Sequence, residues 1–292
     1  MSISRKSRSR AIGILAASLL VVLLVLAGRD RQPTLRAVMD RHGLRDASIA
    51  YGTTGAPPRL MTVDGRTSRS YPYYSLSKPI TAATVMALVR AGRIGLDEPY
   101  AGATVRDLLR HSGGWDRDIA GDPVVERKGP ARCVDIAPPP RQFAPGTRSA
   151  YANIGYCLLG KLVEQRTGLD FREAVRTVVP ATREMGFDAW LGPAGGWSGT
   201  AAQYFAFAAG PIDPAVLERP SYAPRGPYYA LGWRVLADGT LSHYGIFGKN
   251  YAVVYKRGDR ALVALFDGHP GNPDAAREEL LTALRPLLEG KR

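Results

Sequence analysis

Strand-like segments stand at both ends of this chain and helical segments fill its middle, and that order restricts the folds open to it. ASIAYG and RLMTVDG near the start each close on a glycine. After residue 225, YALGWRVLADG, LSHYG, NYAVVYKRGD and RALVALFDG read as successive antiparallel strands joined by Gly and Asp turns. AAREELLTALRPLLEG closes the chain as an amphipathic helix, and a further helix is expected over 33–43. Between the strand groups lie a helix from about Ser75 to Ala91 and the helical patches TVRDLLRH, ANIGYCLLGKLVEQRTG, FREAVRTVV and TAAQYFAFAAG. The sheet must therefore be assembled from both chain ends and flanked by helices, with an all-helical subdomain of about 93–224 inserted, an α+β sandwich. With 292 residues, 45% of them hydrophobic, the chain can bury a sizeable core.

The first 27 residues are of another kind. MSISRKSRSR carries four basic residues and no acid, and the uncharged apolar run AIGILAASLLVVLLVLA follows. This is the pattern of a signal peptide or of an N-terminal membrane anchor, long for the first and short for the second. In both cases residues 28–292 are expected outside the cytoplasm, in the periplasm or tethered to the inner membrane. Of the net charge of +13, four units sit in that segment and +9 remain for the exported part, a charge suited to an anionic envelope or membrane surface. The basic residues are scattered and match no nucleic-acid-binding motif, so nucleic acid is not an expected partner. Cys133 and Cys157 fit no metal site by spacing. They could pair outside the cytoplasm, but the apolar setting of YCLLGKLV favours Cys157 as a small packed hydrophobe.

Chemistry concentrates in three short stretches. In YYSLSKPITAAT, Pro79 has no N–H to give the carbonyl of Ser75, so the helix begins near Ser75. Free backbone N–H groups and the positive helix end then surround the serine hydroxyl, favouring a developing anion. Lys78, one turn on, folds back over the same face. A desolvated lysine can share its proton with serine, whereas an arginine would stay charged. A Ser-x-x-Lys pair alone arises roughly once by chance in a chain of this length. In SAYANIGY, Tyr151 could relay the serine proton and Asn153 could hold a lysine amine or a substrate carbonyl. His243-Tyr244-Gly245 lies on an expected strand whose edge could bind an extended acyl substrate and offer an N–H to its oxyanion. His111 and His269 also precede a glycine by two residues, but they follow a helix and a strand end and are read, with His42, as structural.

Together these stretches resemble the serine β-lactamase and penicillin-binding-protein superfamily, in the branch of class C β-lactamases, D-alanyl-D-alanine carboxypeptidases and related esterases; the second motif is Tyr-x-Asn rather than Ser-x-Asn. SLSKPITAATVMALVRAGRIGLDEP, TVRDLLRHSGGW, FAPGTRSAYANIGYCLLGKLVEQRTG, GGWSGTAAQYFAFAAG and YALGWRV before HYG follow the family's order. The resemblance implies a β-lactamase/transpeptidase-like fold. It makes Ser75 the acylated nucleophile, Lys78 and Tyr151 its proton-transfer pair, Asn153 a ligand of substrate and lysine, and His243 the occupant of a position often held by lysine. Backbone N–H groups of Ser75 and Ile246 would form the oxyanion hole, and Gly245 would let substrate lie against the strand. Tyr244 stands where β-lactamases usually carry Thr or Ser, which puts efficient β-lactam hydrolysis in doubt. The expected protein is an exported serine hydrolase of peptides, amides or esters, with a small-molecule or cell-wall peptide substrate and no metal or organic cofactor. The alternative is a sensor on the same fold that binds peptidoglycan or β-lactams without turnover.

Overall fold

Alternation along the strands decides the layers of the molecule. Tyr251, Val253 and Tyr255 pack toward one face, while Ala252 and Val254 pack toward the other, the two-residue period of a strand covered on both sides. The computed structural model describes residues 34–127 and 129–291. The basic and apolar N-terminal segment lies outside them. Among the described residues, no helix is long and apolar enough to cross a membrane.

Both chain ends build the main sheet. Its strands are β1 (Arg45–Thr53), β2 (Arg59–Val63), β3 (Tyr228–Tyr229), β4 (Arg234–Val235), β5 (Leu241–Phe247), β6 (Asn250–Arg257) and β7 (Arg260–Asp267). They lie in the order β2-β1-β7-β6-β5-β4-β3, all pairs antiparallel. The two ends of the chain meet where β1 pairs with β7, Ile49 opposite Ala264. Helix α1 (Leu35–Arg41) and the C-terminal helix, Pro273–Glu289, cover one face with Val38, Met39, Leu280 and Leu284 against Ile49, Tyr251 and Phe266.

The other face carries the helical region. Helix α2 (Ser77–Arg90) runs beneath it, followed by α3 (Ile154–Thr167), α4 (Phe171–Val178) and α5 (Ala201–Ala208); the C-terminal helix is α6. Ile80, Val85, Leu159, Leu162 and Phe205 share one core with Ala50, Val254 and Val263 of the sheet. The helix expected from Ser75 begins instead with a 3-10 turn at Tyr74–Leu76, and the α-helix starts at Ser77. YALGWRVLADG is not one strand. It divides into β3 and β4 around a turn in which Gly232 has φ +82°, and a Cβ there would stand 2.4 Å from that of Ala82 on α2.

The cysteines correct the sequence reading. Cys133 and Cys157 are disulfide-bonded, Cα atoms 5.3 Å apart across 24 residues. Cys157 is apolar in its surroundings, as expected, but those surroundings include Cys133 brought in by the returning loop. The bond ties the loop that precedes Tyr151 to the second turn of α3. Replacing both cysteines by serine should lower the unfolding free energy by about 3 kcal/mol, read from denaturant midpoints. Reductant should then destabilise the wild-type chain and leave the double variant unmoved.

Candidate active site

Three elements converge on Ser75. The 3-10 turn presents it, the start of α3 brings Tyr151 and Asn153, and β5 crosses behind. Gly245 makes the crossing possible, because a Cβ there would lie 2.1 Å from the Tyr73 carbonyl oxygen and 2.9 Å from the Ser75 nitrogen. Its small size is therefore demanded by the nucleophile turn itself, not only by a substrate lying along the strand. β4 pairs with β5 solely at Leu241 and Ser242, so the edge of β5 from His243 onward is open on that side. Ser75, Tyr151, His243, Tyr244 and Ile246 line a cleft of about 220 Å³ with Arg117, Asp118, Tyr229, Arg234 and Asp274.

Lys78 is completely buried. Its Nζ lies 3.1 Å from Ser75 Oγ, 2.7 Å from Asn153 Oδ1 and 2.7 Å from the Ala194 carbonyl oxygen. Burial, the largest cause, pulls its pKa well below that of an ordinary lysine; Asp122 opposes the shift and Arg117 adds to it. The neutral amine has two N–H bonds and one lone pair. Two of its neighbours can only accept, so the lone pair is left facing the Ser75 hydroxyl. Tyr151 completes the arrangement, with its hydroxyl donating to Ser75 Oγ at 2.6 Å. Burial raises the phenol's pKa, while the Ser75 hydrogen bond and the Arg117 guanidinium, 4.5 Å from the ring centroid, pull the other way. The proton then rests on Tyr151, ready for transfer, while Lys78 holds a free pair.

Asp122 was not legible as a site residue. Its buried carboxylate accepts from Asn153 Nδ2 at 2.6 Å and from the backbone N–H of Val124 at 3.2 Å. Because a carboxylate accepts only, it fixes which end of the Asn153 amide faces Lys78. Its loop, 121–126, follows the short helix Arg117–Ala120 and carries no pattern that marks an acid as buried.

Two histidines are buried beside this centre. His243 has both ring nitrogens engaged: Nδ1 lies 2.8 Å from the Tyr244 carbonyl and Nε2 2.8 Å from the Tyr229 hydroxyl. Nδ1 must therefore carry the hydrogen, and Tyr229 donates to Nε2. Burial, the largest cause, pulls His243 down to about 3, so this is a neutral, pinned side chain. His111, read as structural, is buried with its ring 4.3 Å from that of Tyr151 and 4.5 Å from that of Tyr229. Tyr244 forms part of the cleft wall, its hydroxyl reaching Asp274 at 3.3 Å, and the cleft beside Ser75 stays open.

Known proteins share this frame. The Beta-lactamase family model matches residues 37–181, which include Ser75, Lys78, Tyr151 and Asn153. The chain belongs to the serine β-lactamase and penicillin-binding-protein superfamily. It is 28% identical to Esterase EstB of Burkholderia gladioli over 189 residues, 52% of this chain and 46% of the esterase. It is 28% identical to a probable fimbrial assembly protein FimD, serogroup H1, of Dichelobacter nodosus over 125 residues, 37% of this chain and 32% of that protein. The matches thus span 32% and 46% of these relatives' own length, less than half of each. The crystal structure of a penicillin binding protein from Bacillus halodurans has the same fold, with a TM-score of 0.68, 19% identity and coverage of 87% of this chain and 99% of that one. Membership of that family makes this a serine-hydrolase fold.

The charge of Asp122 raises the Lys78 pKa, and the acylating state of the Lys78–Tyr151 pair is the one with one proton fewer. Asp122→Asn should therefore shift the acid limb of the pH profile for fluorophosphonate labelling of Ser75 toward lower pH. It also lets the Asn153 amide turn, so the plateau should drop by more than about tenfold, short of the ~10²–10⁴-fold expected for loss of the base itself. An unshifted limb would remove Asp122 from the account of Lys78.

Proposed function

We propose that this chain is an exported serine hydrolase that forms an acyl-enzyme at Ser75 from a peptide, amide or ester, in the manner of a D-alanyl-D-alanine carboxypeptidase or an esterase. The observation that carries the reading is the pair of hydrogen bonds on Ser75 Oγ, 2.6 Å from the Tyr151 hydroxyl and 3.1 Å from a buried Lys78 amine. The similarity to an esterase and to penicillin-binding proteins supports the reaction class. Export is supported by the basic and apolar first 27 residues and by a disulfide, a bond that persists in oxidising compartments.

In the proposed reaction, Lys78 takes the Ser75 proton as Oγ bonds to the acyl carbon. The carbonyl pair moves onto oxygen, toward the backbone N–H groups of Ser75 and Ile246. When the tetrahedral intermediate collapses, the bond to the leaving group breaks and Tyr151 supplies its proton, itself resupplied from Lys78. Water enters in the leaving group's place and repeats the sequence, returning Ser75 and releasing the acid. The neutral His243 contributes shape and a hydrogen-bonded wall rather than a proton or an anion-binding charge.

Intact mass after incubation with a fluorophosphonate and, separately, with benzylpenicillin tests this reading. The wild-type chain should gain one phosphonyl group and Ser75→Ala none, a difference of at least about a hundredfold in labelling rate. A penicilloyl adduct would place the physiological substrate among acyl-D-alanyl peptides; its absence beside full phosphonylation would favour esters. A folded chain that reacts with neither reagent binds without turnover, and the hydrolase reading is then wrong.

A further inference from the structure

A row of aromatic side chains begins at the residue next to Ser75, outside the lining of the polar cleft. Tyr74 directly precedes the serine and holds φ +49°, a left-handed conformation uncommon for a bulky residue. Its ring meets Phe247 edge-on at 5.6 Å, and Phe247 meets Trp190 edge-on at 5.7 Å. The Arg127 guanidinium covers the Trp190 ring at 3.6 Å and marks the outer end. All three rings are partly exposed, and none belongs to the lining of the polar cleft. The row is fixed rather than adventitious: Trp190 donates its indole N–H to the Val124 carbonyl at 2.8 Å and its backbone N–H to Asp188 at 2.9 Å.

Geometry at the reacting carbon assigns this row a part, and the assignment rests on the hydrolase reading above. The tetrahedral intermediate has four substituents. One is Ser75 Oγ, one is the oxyanion facing the backbone N–H groups, and one is the leaving group, which must depart beside its proton donor, Tyr151, within the polar cleft. The fourth is the acyl substituent, and outside the polar cleft the side chains beside the reacting centre are Tyr74, which adjoins Ser75, and Phe247, which adjoins Ile246. We propose that Tyr74, Phe247 and Trp190 form an acyl-side subsite for an uncharged apolar group, an aryl or medium-chain alkyl acyl moiety. Such a wall favours flat or extended apolar groups through ring contact and loss of water-exposed area.

The test compares 4-nitrophenyl hexanoate with 4-nitrophenyl acetate, so that the leaving group is constant. A methylene that is fully buried is worth roughly fourfold in binding, and even partial contact along the row should give the wild-type enzyme a ratio of kcat/KM, hexanoate over acetate, of at least about tenfold. Phe247→Ala and Trp190→Ala should each reduce that ratio severalfold. A wild-type ratio of one or below overturns the proposal, as does a loss in the variants that is equal for both esters, the mark of a merely structural role. A second measurement does not need turnover: hexanamide, but not acetamide, should move the Trp190 indole N–H resonance of Ser75→Ala, identified with Trp190→Phe. If hexanamide moves it and Ser75 takes no fluorophosphonate, the subsite stands and the hydrolase reading falls. If Ser75 is labelled while the ratio is flat and the resonance still, the subsite falls and the hydrolase stands.

Discussion

The centre of this molecule is arranged around an amine with no access to water. Leaving a charged ammonium in such a place without partners would cost several kcal/mol, and three hydrogen-bond partners from three parts of the chain meet the amine: the Ser75 hydroxyl, the Asn153 amide and the Ala194 carbonyl. Each partner fixes an element. The 3-10 turn must start where it does, the first turn of α3 must face α2, and the tight turn Gly192–Gly195 must close over the lysine. The same burial that costs stability lowers the lysine's affinity for its proton, so packing and reactivity have one cause. An arginine could meet those partners only as a permanent cation, which explains why the residue type matters more than its charge.

The sheet depends on the same centre through its edge. β4 is two residues long, and because it stops short, β5 keeps unpaired backbone beside Ser75. Ordinarily an open edge invites pairing with another chain; here the cleft wall of Tyr229, Tyr244 and Arg234 confines access to it. Gly232 lets the β3–β4 turn press on α2, and Gly245 lets β5 press on the serine turn. The two glycines hold nucleophile, helix and strand at contact distance from opposite sides.

Most of the frame was legible in sequence, because strand alternation and helical periodicity are local signals. The strand–helix–strand order, the Ser75–Lys78 spacing, the start of α3 behind SAYANIGY and the strand carrying His243 all follow from neighbours a few residues apart. What was not legible depends on long returns of the chain. Asp122 becomes a partner of Asn153 only once its loop folds back across 31 residues. Cys133 meets Cys157 by a similar return, while the apolar neighbours of Cys157 point equally well to ordinary packing. Tyr229 sits in a segment that alternates like a single strand, and the turn at Gly232 that aims it at His243 is enforced by contact with α2. Tyr74 and Phe247 are flanked by catalytic motifs, yet nothing local indicates that their rings touch.

His243 shows how these unlegible contacts redirect the chemistry. A lysine at that position would bring a cation to the substrate, and a free histidine would bring a proton. With Nδ1 held by the Tyr244 carbonyl and Nε2 by Tyr229, this side chain stays neutral at physiological pH and supplies neither. Cationic charge in the cleft comes instead from Arg117 and Arg234, each with an acid beside it, Asp118 at 3.7 Å and Asp274 at 3.9 Å. In the proposed reaction, protonation of a departing group then falls to Tyr151, within the polar cleft, while the rings of Tyr74 and Phe247 stand outside that cleft. On that reading a single pinned histidine separates the two halves of a substrate: the departing half among charges and hydroxyls, and the retained half against an aromatic wall.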